Sequence, residues 1–155
     1  ITHGNGGVFN YAGAFGNLPE GEVSIGPQNA NGRFVIDASI PCFGKLRTPL
    51  TVDVKDCFAT CITGERSGEL IAILDAVGKN AYRIAELGIG THPNAIITGV
   101  VLEDEKVSGT CHIAFGNNMS FGGTNDVPIH LDGVIRDVTI TADGEIVMDK
   151  GIPLF

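Results

Sequence analysis

"DVPIHLDGVI", residues 126–135, is the stretch on which the reading of this chain turns. Ile129 and Leu131 alternate with His130 and Asp132, and in a β-strand residues two apart point to the same side. Read as a strand, the stretch therefore projects an imidazole and a carboxylate together out of an apolar run. An uncompensated buried carboxylate is expensive. A divalent cation removes that cost, because neutral His and ionised Asp are both metal ligands and the metal charge stabilises the anion.

The rest of the chain reads the same way. Twenty-two glycines and seven prolines punctuate 155 residues, and the short segments between them are rich in Val, Ile, Thr and Phe, a β-dominated pattern. Strands are predicted over 22–26, 32–40, 49–54, 57–63, 82–88, 109–115, 134–141 and 145–149. Tight turns are expected at Lys55-Asp56 and Asp143-Gly144. "SGELIAILDAVG", residues 67–78, breaks the pattern: Leu70, Ile71, Leu74 and Val77 fall at helical spacing, with Ser67 as N-cap and Gly78 as the stop. A second, shorter helix is expected over 96–102, or running on into "EDEK", residues 103–106. The expected class is α+β, a mixed β-rich sheet or half-barrel with one or two packed helices. Residues 1–155 read as a single metal-binding catalytic domain. The opening "ITHGNGG" looks like the interior of a longer protein, of which this would be the C-terminal part.

Composition narrows the partners. Eighteen acidic against ten basic residues give a formal charge of −8, and no segment clusters Lys and Arg, so nucleic acid and anionic membrane surfaces are disfavoured. No apolar run approaches the roughly 20 residues needed to cross a bilayer. Cys42, Cys57, Cys61 and Cys111 sit among apolar or β-branched neighbours without zinc-knuckle spacing and read as buried reduced thiols, so a cytoplasmic, soluble protein is expected.

Other strand ends repeat the His/carboxylate theme. His112 lies in "GTCHIAFGNN" (109–118), Glu86 in "YRIAELGIGTHP" (82–93) and Glu22 in "NLPEGEVSIGP" (17–27), each beside glycines. His112, His130 and Asp132 suffice for one non-haem iron with open positions. Adding Glu22 and Glu86 makes five ligands, which suits two divalent ions roughly 3.5–4 Å apart activating a bridging water. The number of carboxylates favours two metals. His92 is read as facing water, "SFGGTND" (120–126) as a flexible substrate-contacting loop, and "EDEK" as a solvated face or helix end. His3 is given no role, and Ser120 lacks a nucleophile-elbow context.

The order "NLPEGEV", "ELGIGTHPNA", "GTCHIAFGNN", "GGTNDVPIHLDG" resembles the catalytic half of the thermophilic metalloprotease family, the aminopeptidase T or M29 group that includes leucyl aminopeptidases. The resemblance spans residues 17–133. It implies a dinuclear site of zinc, cobalt or manganese on Glu22, Glu86, His112, His130 and Asp132, with Glu86 or Glu22 carrying the proton to the leaving amine. It also implies an upstream α/β domain, a homodimer, and release of N-terminal residues from a peptide or small-molecule substrate. One position departs from the family: the tyrosine three residues after the glycine is Met119 here, which cannot donate a hydrogen bond. The same superfamily contains ring-cleaving dioxygenases of the 2,5-dihydroxypyridine type, which use one ferrous ion and do not need that tyrosine. An inactive structural relative is the third alternative, and the aminopeptidase stands first.

Overall fold

The structure, a computed structural model, describes residues 2–5, 11–13 and 16–154. In chain order its strands are β1 (Thr2–Asn5), β2 (Glu22–Ile25), β3 (Gly32–Ile36), β4 (Ser39–Ile40), β5 (Gly44–Lys45), β6 (Leu50–Lys55) and β7 (Phe58–Gly64). Helix α1 (Ser67–Val77) and β8 (Ile84–Gly90) follow, then the single-turn α2 (Val101–Asp104), β9 (Cys111–Gly116), β10 (His130–Ile135), β11 (Ile140–Ala142), β12 (Glu145–Asp149) and β13 (Ile152–Pro153). A seven-stranded sheet runs β1-β2-β8-β9-β10-β4-β5, and two three-stranded sheets run β3-β6-β7 and β11-β12-β13, with antiparallel pairing throughout. The expected α+β, strand-rich class is what forms, with sheets that stay open.

The core lies between one face of the large sheet and the β3-β6-β7 sheet with α1. Leu50 and Val52 from β6, Leu70 and Leu74 from α1, and Phe115 and Leu131 from β9 and β10 all belong to it. Period-two alternation produces this layer: along β9, Ile113 and Phe115 face the core, while His112 and Ala114 face the other way.

Several local expectations shift. Gly78 ends α1, its N–H reaching Leu74 O. At the start, however, Arg66 caps the helix from the left-handed region (φ 57°) and Ser67 is already helical, with no side-chain cap bond. Arg66 instead bonds Glu69 through its guanidinium at 2.6 Å. The turn expected at Lys55-Asp56 falls one residue later, since Asp56 and Cys57 carry the positive φ values (51° and 64°), whereas Asp143 and Gly144 (52° and 88°) form the expected hairpin turn. The strand expected at 134–141 is divided: β10 holds the whole His130–Ile135 stretch, and β11 starts at Ile140. Cys57 and Cys111 are buried, but Cys42 and Cys61 are exposed, and all four are free thiols. The His3 side chain lies outside the described residues. No described helix is long and apolar enough to cross a membrane.

Candidate metal centre

The site is built on the face of the large sheet opposite the core, across β2, β8, β9 and β10. Directly paired residues of antiparallel strands share a face. One row therefore runs Ser24, Gly88, His112, Val134, and the next runs Glu86, Ala114, Asp132. Gly88 leaves the hollow into which the ring turns: a Cβ there would overlap the imidazole of His112. Glu86 reaches this face through a β-bulge. Ile84 pairs Phe115 and Glu86 pairs Ala114, so Ala85 is an extra residue that turns Glu86 away from the core.

All five residues predicted as ligands come together. His112 Nε2 lies 3.4 Å from Glu86 Oε1 and 3.5 Å from Glu22 Oε2, and His130 Nε2 lies 3.0 Å from Glu86 Oε2 and 3.3 Å from Asp132 Oδ1. They form overlapping three-donor groups capable of holding a metal ion, namely Glu22–Glu86–His112, Glu86–His130–Asp132 and a third, Glu105–His112–Asp132. The side chains of His112 and Glu86 are 1% and 5% exposed, those of His130 and Asp132 29% and 15%, so the site opens on the His130 side.

The hydrogen bonds of His130 settle its tautomer. Its Nδ1 is 2.7 Å from the Asn117 carbonyl oxygen, which can only accept, so Nδ1 carries a proton. In the neutral ring Nε2 is then a lone pair facing two carboxylates. Three acceptors meeting require a cation between them. Among the described residues, the buried Oδ1 of Asp132 has no partner closer than its 3.3 Å approach to His130 Nε2. This donor set fits a divalent metal ion.

Without one, protons take that place. Burial alone would lower the His130 pKa, but Asp132 and Glu86 outweigh it and push it up to about 11. Burial likewise opposes ionisation of Glu86, yet hydrogen bonds from His112 and His130 hold it down at about 2. The His112 pKa is also raised: burial opposes the charge, and Glu86 and Asp132 overcome it.

The acidic run read as a solvated face is the opposite. Asp104, Glu105 and Lys106 are 0%, 7% and 0% exposed. Asp104 accepts from Ser39 Oγ (2.5 Å) and from the backbone N–H groups of Thr98 (2.6 Å) and Gly99 (2.9 Å), latching α2 to β4. Lys106 Nζ lies 2.9 Å from Glu22 Oε2 and also bonds Glu105. Burial alone would lower its pKa, but Glu105 and Glu22 raise it, so the ammonium stays charged. Glu105 is pushed up to about 7 by burial and by the Asp132 charge, against the opposing pull of Lys106. In sequence, nothing distinguishes this run from a solvated one.

Two further readings change. His92, expected to face water, is half-buried, and its Nδ1 accepts from the N–H groups of Asn94 (3.1 Å) and Ala95 (3.0 Å), so it caps a turn. The loop 120–126 is tied down by Asn125, which bonds Gly116 O (2.6 Å) and Asn80 O (2.9 Å). It also stacks Phe121 on His130, with ring centroids 5.6 Å apart and planes 20° apart.

A strand-rich α+β sheet carrying imidazoles and carboxylates on one face is a scaffold that could hold a metal ion. Residues 2–154 match the NicX family, 2,5-dihydroxypyridine 5,6-dioxygenase, and the chain belongs to that family. A solved structure of 2,5-dihydroxypyridine dioxygenase from Pseudomonas putida KT2440 has the same fold, with a TM-score of 0.78 and 24% identity over 86% of this chain. The match spans 43% of that structure's chain. No curated protein matches this sequence.

The assignment to the M29 aminopeptidases, with its hydrolase activity, is thereby overturned by the family match. The motifs that suggested it describe strand ends that carry imidazoles and carboxylates, a scaffold that does not specify the reaction. Met119, the departure from the peptidase pattern, lies 51% exposed on a short turn and offers no hydroxyl to a reacting carbonyl.

Proposed function

We propose that the protein is an iron(II)-dependent ring-cleaving dioxygenase acting on a small hydroxylated pyridine of the 2,5-dihydroxypyridine type. Membership of the NicX family supports the reaction class. The observation in the chain that carries the proposal is the orientation of His130, whose Nδ1 bonds the Asn117 carbonyl and whose Nε2 therefore faces Asp132 and Glu86. His112, His130 and Asp132 would hold a single ion, in place of the two zinc, cobalt or manganese ions first expected. Two imidazoles and one carboxylate are the donors that leave iron open positions.

Bound there, iron(II) would supply the redox chemistry that lets dioxygen react with an electron-rich ring. The chain does the rest. Glu86, ionised and lying against both imidazoles, orients them. The buried side of the site, at His112 and Glu86, excludes water, and the partly open side at His130 and Asp132 admits substrate. Phe121, stacked on His130, gives that opening an aromatic border. Glu22 is assigned to Lys106 rather than to the ion. Residence in the cytoplasm is part of the proposal, supported by the four free thiols.

The test is oxygen uptake. The protein at its natural length, reconstituted anaerobically with iron(II), should consume one dioxygen per 2,5-dihydroxypyridine, with loss of the ring's ultraviolet band. Stoichiometric iron with no uptake would refute the substrate class.

A further inference from the structure

The site face holds more negative charge than one ion needs. Glu22, Glu86, Glu105 and Asp132 converge with His112 and His130, and the donor groups Glu22–Glu86–His112 and Glu105–His112–Asp132 share the imidazole of His112. A cluster this rich in carboxylates is the kind that holds two divalent cations with bridging oxygens. Between Glu22 and Glu105, however, sits the ammonium of Lys106, with no exposed surface.

We propose that Lys106 is a resident cation that occupies the second-metal position and fixes the centre at one ion. The inference rests on the single-ion reading above. Its basis is that both carboxylates available for a second ion already contact Nζ, and that the lysine is built in. Its carbonyl accepts from His92 N–H (2.8 Å) and its own N–H reaches Glu103 O (3.0 Å). Gly90, two residues beyond Gly88 on the same face, has no side chain where a Cβ would overlap the backbone of Lys106 and Val107. That omission lets the segment lie directly on the sheet. Asp104 pins the preceding turn to β4, which anchors the backbone from which Lys106 projects. A single positive charge satisfies the two carboxylates electrostatically but offers no coordination position, so it cannot act as a Lewis acid toward substrate or lower the pKa of a bridging water. Lys106 is thus a positioning and specificity-determining residue rather than a catalytic one.

The experiment compares wild type with Lys106→Met and Lys106→Arg, using zinc(II) alone as the probe and reading metal per chain by elemental analysis after gel filtration. Lys106→Met should take up one more ion per chain than wild type, and Lys106→Arg, which keeps the charge, should not. Equal stoichiometry in wild type and Lys106→Met would overturn the proposal. Should Lys106→Met be unfolded without metal, excess zinc(II) must restore the folded chain, since the ion would supply the missing charge; failure to do so also overturns it. Failure of the dioxygenase reading shows separately, as absent oxygen uptake by iron-loaded wild type. The count of ions gained on losing the lysine does not depend on that result.

Discussion

His112 and Phe115 sit three residues apart on one strand, are 1% and 0% exposed, and face opposite ways. On Phe115's side burial is itself the driving force, because apolar area leaves water. On His112's side burial is a cost met by neighbours: Glu86, Glu22 and the charges of Lys106 and Asp132 around them. The same ladder of backbone hydrogen bonds supports both. The comparison separates what makes the sheet fold from what makes it reactive, and the two can be removed independently.

The sharpest break is a crossed pair of substitutions. Phe115→Ala should cost about 3–5 kcal/mol of unfolding free energy, measured by urea titration, while the fraction still folded binds iron stoichiometrically. Asp132→Ala should do the reverse, leaving circular dichroism unchanged and abolishing stoichiometric iron at micromolar protein. Iron retained by Asp132→Ala would remove it from the ligand set. A smaller effect is expected at Glu86, which touches both imidazoles: Glu86→Gln should weaken iron binding by roughly 10–100-fold, the usual cost of losing an orienting partner, as read by chelator competition.

The pH response of the metal-free chain sharpens the same contrast. His130 has a folded pKa of about 11, above its unfolded value. Its contribution is therefore complete below about 6.5 and is lost as pH climbs toward 11. Glu86, depressed to about 2, contributes fully above its unfolded value near 4.3 and loses that as pH falls toward 2. Raised Glu105 adds a penalty as it ionises, in the same direction as His130. Metal-free stability should thus peak at about pH 4.5, falling above it first as Glu105 ionises and, beyond about pH 6.5, through His130 as well. Iron binding must displace the His130 proton, so its apparent affinity should rise by up to tenfold per pH unit across neutrality. A flat affinity profile would show that His130 is not a ligand.

Much of this was legible in the residues. Alternation around His130 and Asp132, and the helical spacing of Leu70, Ile71, Leu74 and Val77, are local signals that survive folding. Convergence of four strand ends on one site could be argued from their shared chemistry. Three things were not legible. The burial of Asp104, Glu105 and Lys106 depends on a latch to Ser39, sixty-five residues away in sequence, and a charged run looks the same whether water or carboxylates surround it. The cap at Arg66 rests on a left-handed backbone that a serine next door concealed. The reaction escaped because the motifs encode a way of holding metals, and the residues that limit their number lie in the run set aside as surface.

The bulge at Ala85 has a consequence of another kind. A strand assigns its side chains by parity, odd to one side and even to the other, and one added residue reverses the assignment for everything beyond it. Here the added residue gives Glu86 to the metal side while Ile84 stays with the core. Removing Ala85 would make the Ile84–Phe115 and Glu86–Ala114 pairings consecutive and leave Glu86 on the metal side, whereas removing Leu87, beyond the bulge, would put Glu86 and Gly88 next to each other and so on opposite faces. In a sheet of this design, chemistry is inherited as a counting rule as much as a set of residues, so the loss of one codon between Glu86 and Gly88 can split the site face where the loss of the bulge residue would not.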